Sequence, residues 1–207
     1  MEKGGRLTEM RNTVMSYCCD RARSVTWGIE GGLPSIPHGV WLNRDTDEER
    51  FLGAVFSNVP LKAGDSFTRP SAGGGGFGDP LEREPEAVRD DVADGYVSVE
   101  RAAKDYGVVV REVDAELAQY EVDAEATERE RERIRSQRHG WLEEDPESVA
   151  ERYRAGELDL LDVLRRNGVI LDWGTGDLLP TTTEQFRAML HRRAARHWEA
   201  TVAAGAA

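Results

Sequence analysis

Residues 73–78 read Gly-Gly-Gly-Gly-Phe-Gly and are followed by Asp79 and Pro80. No regular helix or strand carries such a run. Glycine gives up the most backbone entropy on ordering and serves where φ is positive or where backbones approach closely. The run divides the chain into two texts. Before it, β-branched and aromatic residues form five short strand-like stretches, Thr13–Cys19, Ser24–Ile29, Gly39–Asn43, Phe51–Phe56 and Ser66–Thr68. Gly31, Gly32, Pro34 and Pro37 punctuate them, with turns at 45–50 and 62–65. Residues 1–12 carry few apolar positions and read as a loose start. If the molecule starts at Met1, at least one edge of this sheet lacks a partner strand, and a partner could cover it.

After the run the period becomes helical. Glu84 to Ala93 predicts a helix with Pro85 in its first turn and Gly95 at its end. Ser98 caps a second helix, Val99 to Tyr106, closed by Gly107, and Val108–Val110 follows as a strand. This unit occurs twice. Glu84-Pro-Glu-Ala-Val88 matches Asp145-Pro-Glu-Ser-Val149, Gly95 matches Gly156, Ser98 matches Asp159, and Gly107–Val110 matches Gly168–Leu171, all at an offset of 61. Two copies fall short of a solenoid. The second helix carries Glu100 and Asp105 against Arg101 and Lys104, so it lacks the basic face of a DNA-reading helix.

Between the copies, Asp123 to Arg138 alternates Glu with Arg at helical spacing and reads as a solvated spacer helix, with an interaction arm as the other reading. Thr181 to Thr183 cap a last helix from Glu184 to about Trp198, with Phe186, Met189 and Leu190 on one face, before a fraying Ala-rich tail. The fold class is α+β: a β-rich segment (1–80), a first helical unit (81–122), a charged spacer helix (123–140), and a second helical unit with the C-terminal helix and tail (141–207).

Composition excludes several roles. With 27 Lys+Arg against 39 Asp+Glu, the net charge is −12, which repels nucleic acid and anionic membranes. No stretch approaches a membrane span, and no apolar leader follows Met1. Cys18 and Cys19 are adjacent and have no other cysteine to pair with, so a cytoplasmic location is expected. Gly73-x-Gly75-x-x-Gly78 formally satisfies a dinucleotide pattern, but no βαβ unit follows and Asp79 opposes a phosphate. Gly73, Gly74, Gly75, Gly76, Phe77, Gly78 and Asp79 are instead taken as a turn that lines an interface or a substrate channel. Among His38, His139, His191 and His197 no two stand at metal-ligand spacing, so no metal is assigned to this chain. Cys18 has no base in view that would activate it, and no catalytic residue is named. Trp27, Trp41, Trp141, Trp173 and Trp198 read as core or interface anchors.

The block Gly73-Gly-Gly-Gly-Phe-Gly-Asp-Pro-Leu-Glu-Arg-Glu-Pro-Glu-Ala-Val88 resembles the C-terminal part of hydantoinase B/5-oxoprolinase superfamily proteins, a group that includes acetone carboxylase large subunits. Asp94–Ser98, Ala103–Val109, the upstream Trp27-Gly-Ile-Glu-Gly-Gly-Leu-Pro-Ser35 and the downstream Gly168–Phe186 carry the resemblance further, over about Arg11 to Trp198. It implies a part in ATP-dependent opening of a cyclic amide or carboxylation of a ketone. An A-type subunit would activate the substrate with ATP, and a divalent metal would serve the full complex. The family's metal-binding Asp/His residues belong to an N-terminal portion that nothing here matches. The resemblance therefore implies a structural and assembly role within a hetero-oligomer, with an A-type subunit and the missing N-terminal part of a B-type chain as partners. The alternative is an independent acidic interaction module.

Overall fold

The computed structural model describes residues 2–9, 12–21 and 24–191. His197, Trp198 and the Ala-rich tail lie outside the described residues. The architecture is α+β, with a β-rich N-terminal part followed by a mainly helical part. Strands β1 (Glu2–Arg6), β3 (Val40–Leu42), β4 (Arg50–Gly53) and β6 (Ser66–Pro70) form an antiparallel sheet in the order β1-β6-β3-β4, and β2 (Thr13–Cys18) pairs with β5 (Val55–Leu61).

Three sequence expectations change here. The loose start is strand β1, which pairs with β6 from Glu2↔Pro70 to Arg6↔Ser66. Hydrophobicity could not reveal it, because the strand contributes backbone: a Cβ on Gly4 would stand 2.4 Å from the Phe67 carbonyl oxygen. The Phe51–Phe56 stretch is two strands in two sheets, broken at Gly53 with φ +78°. Ser24–Ile29 forms no strand beyond a single bridge between Ile29 and Phe77. Its polar backbone is engaged elsewhere: the Thr26 N–H donates to Ser35 Oγ (2.8 Å) and its carbonyl accepts from the Ser35 N–H (3.0 Å).

In the helical part, α1 (Pro85–Ala93) and α2 (Val99–Tyr106) precede the hairpin β7 (Val110–Asp114) and β8 (Gln119–Val122). The 20-residue α3 (Ala124–Glu143) leads to α4 (Pro146–Arg154), α5 (Leu160–Arg165) and α6 (residues 180–191). The duplication is visible atom by atom. Val88, Val92, Ala102, Val108 and Val110 form one core, and Val149, Tyr153, Val163, Val169 and Leu171 pack in the other, each 61 residues on. Gly107 and Gly168 end α2 and the segment after α5 at φ +63° and +61°. The Val108 N–H donates to the Ala102 carbonyl, as Val169 does to Val163.

The correspondence runs past the residues where the two copies look alike. The Val109 N–H donates to Thr127 Oγ1 on α3, and the Ile170 N–H donates to Thr183 Oγ1 on α6. Arg131 donates to the carbonyls of Tyr106 and Arg83, and Arg187 to those of Asn167 and Glu144, which are the same positions of the second copy. Here the offset is 56, because the hairpin β7–β8 shrinks to the single bridge Leu171↔Leu178. Helix α3 therefore does more than space the copies. Its charged face is solvated, but Thr127, Ile134 and Leu142 are buried.

The second helices meet each other. Arg101 on α2 and Asp162 on α5 occupy the same position of the two copies and contact at 3.0 Å. The copies therefore meet through their second helices, with equivalent positions in direct contact. Lys104 reaches Asp162 (2.9 Å), Arg101 reaches Asp159 (2.5 Å), and Arg165 closes the network on Asp105. Burial works against a charged Asp159, yet the Asp162 N–H and the Arg101 guanidinium hold its carboxyl below the usual range. The two parts of the molecule join through Val25, which packs with Leu164, Ile170 and Phe186, through Trp27 stacked on Phe186 at 5.3 Å, and through Trp41 and Phe51 against Trp173.

Candidate functional site

The glycine block closes against the other glycine-rich stretch, residues 28–32. The Ile29 N–H donates to the Gly76 carbonyl (2.8 Å), the Gly76 N–H to the Leu33 carbonyl (2.9 Å) and the Gly78 N–H to the Ile29 carbonyl (2.9 Å). The backbones touch directly. A Cβ on Gly75 would stand 1.8 Å from the Trp27 carbonyl oxygen, and one on Gly32 would stand 2.0 Å from that of Gly76. Around Gly73, Gly74 and Gly78 the space is open. Asp79 caps the turn Pro80–Glu82 by accepting from the Leu81 N–H (3.0 Å) and forms a bidentate pair with Arg138 of α3 (2.8 and 3.0 Å).

This geometry does not suit a phosphate cradle. The N–H groups of Gly76 and Gly78 are engaged, and the following short turn carries the Asp79 carboxylate at its start. What the block presents outward is apolar. Phe77 is 81% exposed and its bridge partner Ile29 58%, with Trp27 at 39% beside them in sequence. Side chains of this size usually lie inside; here Phe77 and Ile29 sit on a backbone ledge held by three main-chain hydrogen bonds.

A second constellation escaped sequence reasoning. Buried His38 accepts at Nε2 from the Tyr17 hydroxyl (2.6 Å) and donates to the Pro70 carbonyl. Burial and the nearby Arg69 charge push its pKa down, which keeps the ring neutral. Burial, against the pull of Arg69, pushes Tyr17 up, with Cys19 adding to the rise. The pair ties β2 to the segment that precedes β3. An open cleft of about 610 Å³ between Leu42–Arg50 and Pro60–Asp65 is lined by charged residues, several of them paired with one another. Lys62 pairs with Glu48 (2.9 Å), and Asp65 accepts from the Lys62 N–H and the Asn43 amide, which together lower its pKa.

A third cluster joins residues remote in sequence. His139 and Glu143 on α3 face His191 on α6, and one ligand atom from each lies within 4.8 Å of the others. The spacing of histidines in the sequence concealed this, since the partners sit on different helices. Among the described residues, no helix is long and apolar enough to cross a membrane.

Comparison with known proteins places this geometry in context. Residues 3–80 match the hydantoinase B/oxoprolinase family. The chain is 47% identical over 147 residues to the acetone carboxylase alpha subunit of Xanthobacter autotrophicus (strain ATCC BAA-1158 / Py2), a match that covers 56% of this chain and 19% of that protein. It is 32% identical over 103 residues to the B-type chain of a putative D-/L-hydantoinase of Pseudomonas sp. (strain NS671), covering 49% of this chain and 17% of the relative. The beta chain of the caprolactamase of Pseudomonas jessenii is 45% identical over 77 residues, covering 37% and 13%. A solved structure of nucleotide-free acetone carboxylase matches with 26% identity and a TM-score of 0.46, over 80% of this chain and 25% of that one. Over the stretches these matches cover, the chain is similar to proteins of the hydantoinase B/oxoprolinase–acetone carboxylase superfamily. It spans less than a fifth of the length of these curated relatives.

Proposed function

We propose that this chain is a structural and assembly segment, C-terminal in position or separate as a small subunit, of an ATP-dependent complex that carboxylates a ketone or opens a cyclic amide. The observation that carries this reading is the apolar ledge of Trp27, Ile29 and Phe77 on the glycine block, rigid, outward-facing and set in a chain of net charge −12. Exposed aromatic and aliphatic residues on a fixed backbone suit a docking surface, because little entropy is lost on binding. Likeness to chains of a carboxylase, a hydantoinase and a caprolactamase supports an occupant of the same superfamily: the remaining B-type portion, with an ATP-using A-type subunit. On this reading the reacting groups belong to the complex, and this chain contributes shape and docking surface.

The test is co-expression with the remaining B-type portion and an A-type chain from the same host, followed by size-exclusion chromatography with light scattering. The expected result is a hetero-oligomer that contains this chain. ATP-dependent turnover of a ketone or lactam should appear only in that complex. Ile29→Ser/Phe77→Ser should release the chain while leaving its own circular dichroism unchanged. Recovery of wild-type chain as a lone monomer in the presence of both partners would overturn the proposal in favour of an independent acidic module.

A further inference from the structure

We propose that His139, Glu143 and His191 bind a divalent transition metal, with zinc the best-suited ion, and that the bound metal clasps α3 to α6. His139 and Glu143 stand four residues apart on α3, so both project from one face of it. His191 approaches from α6, with Nε2 3.6 Å from Glu143 Oε1. The two imidazoles lie edge to face, 6.1 Å between centroids at 78°. Tetrahedral zinc with bonds of about 2.0–2.1 Å sets its ligand atoms roughly 3.4 Å apart. The trio, all within 4.8 Å, needs to close by little more than an ångström, and its side chains are free enough to do so. Glu143 is 60% exposed and His191 38%, so an ion can enter from solvent.

An ordinary surface ion pair involves only His191 and Glu143, and such pairs contribute little. Metal coordination uses all three groups. Two imidazoles and one carboxylate are borderline ligands that suit zinc and its neighbours and discriminate against magnesium and calcium. Three protein ligands leave a fourth position for water or for a side chain of a partner. The net charge of −12 raises the local concentration of cations. The consequence lies in the fold. Helix α3 carries buried Thr127, Ile134 and Leu142, and α6 carries Thr183 and Phe186, so the ion ties together the helices that close the two copies of the unit.

The experiment is calorimetric titration of the metal-stripped full chain with Zn²⁺, in a Cys18→Ser/Cys19→Ser background so that thiols do not compete. It is paired with Co²⁺ visible absorption, to report tetrahedral coordination, and with a thermal melt. The expected result is one Zn²⁺ per chain and a Tm that rises with zinc, since a ligand of the native state stabilises by mass action. Loss of an outer-shell partner typically weakens metal binding by about 10–100-fold, and His139→Ala, His191→Ala and Glu143→Gln, which remove direct ligands, should each lose at least that much. Mg²⁺ should neither bind nor raise Tm. All three positions are at least partly exposed, so the variants should keep the native circular dichroism. Absence of stoichiometric zinc binding, or unchanged zinc affinity in His139→Ala and His191→Ala, would overturn the proposal, as would equal stabilisation by Mg²⁺.

Discussion

Residues within the glycine block do different work, and the structure separates them. Gly75 leaves no room for a side chain: its Cβ would overlap the Trp27 carbonyl, and relief requires moving backbone against backbone. Gly74 has neither a positive φ nor a neighbour within 4 Å. Gly75→Ala is therefore expected to destabilise the chain by about 3 kcal/mol or more, at the upper end of overpacking costs. Gly74→Ala should be neutral, or stabilising by about 0.4–1 kcal/mol through the unfolded chain. Urea unfolding of the two variants side by side measures the difference. Equal midpoints would mean that the close approach of residues 28–32 and 73–78 does not hold in solution. The sequence announced a turn here, but four identical letters cannot say which of them faces another backbone. That depends on residues some 45 positions upstream. For the same reason His38, unremarkable in its local text, has its pKa lowered only once the fold buries it and brings Arg69 near.

Elements follow the sequence closely where capping and periodicity decide them, except that α6 starts at residue 180, so Thr181–Thr183 lie in its first turn and do not cap it. Ser98 and Asp159 cap α2 and α5 through the N–H groups of Arg101 and Asp162 (3.1 and 2.8 Å), and Pro85 and Pro146 open α1 and α4. The duplicated helix pair was legible because those signals are local. Its continuation into α3 and α6 was not. Thr127 matches Thr183 and Arg131 matches Arg187, but Glu130 on the solvated helix stands where Phe186 fills a core, and the offset slips from 61 to 56. The interface that the duplication creates is electrostatic. Asp162, with 7% of its side chain exposed, holds Arg101 and Lys104, and removing one partner of a buried pair strands the others. Asp162→Ala is expected to cost about 3 kcal/mol, at the lower end of the buried-pair range because Arg101 and Lys104 keep partial access to solvent. In the double variant Arg101→Met/Asp162→Leu, the loss should be smaller than the sum of the singles by a coupling of roughly 0.5–3 kcal/mol. Strict additivity in chemical denaturation would show that these counterparts do not meet.

Whole-molecule behaviour rests on contacts that no window of sequence contains. The β-rich part and the helical part were each foreseeable, but their junction was not. Val25 comes from a stretch that reads as a strand, and it is instead buried with Leu164, Ile170 and Phe186 of the second helical unit. Trp27 has one face on Phe186 and continues to the exposed ledge with Ile29 and Phe77. The same segment therefore builds the internal junction and carries the surface proposed for docking, so that the orientation of the ledge is set by the helical core. Such a molecule should unfold as one unit. Phe186 is 1% exposed, and Phe186→Ala is expected to cost about 3–5 kcal/mol, as large-to-small changes in packed cores do. If the junction couples the two parts, the variant should show a single transition at a lower denaturant midpoint. Tryptophan fluorescence, to which Trp27, Trp41 and Trp173 at the junction contribute, should coincide there with far-ultraviolet circular dichroism, weighted to the helices. Separate midpoints for the two probes in the wild-type chain would mean that the parts fold independently, and the ledge would then lose the rigid support on which its docking role depends.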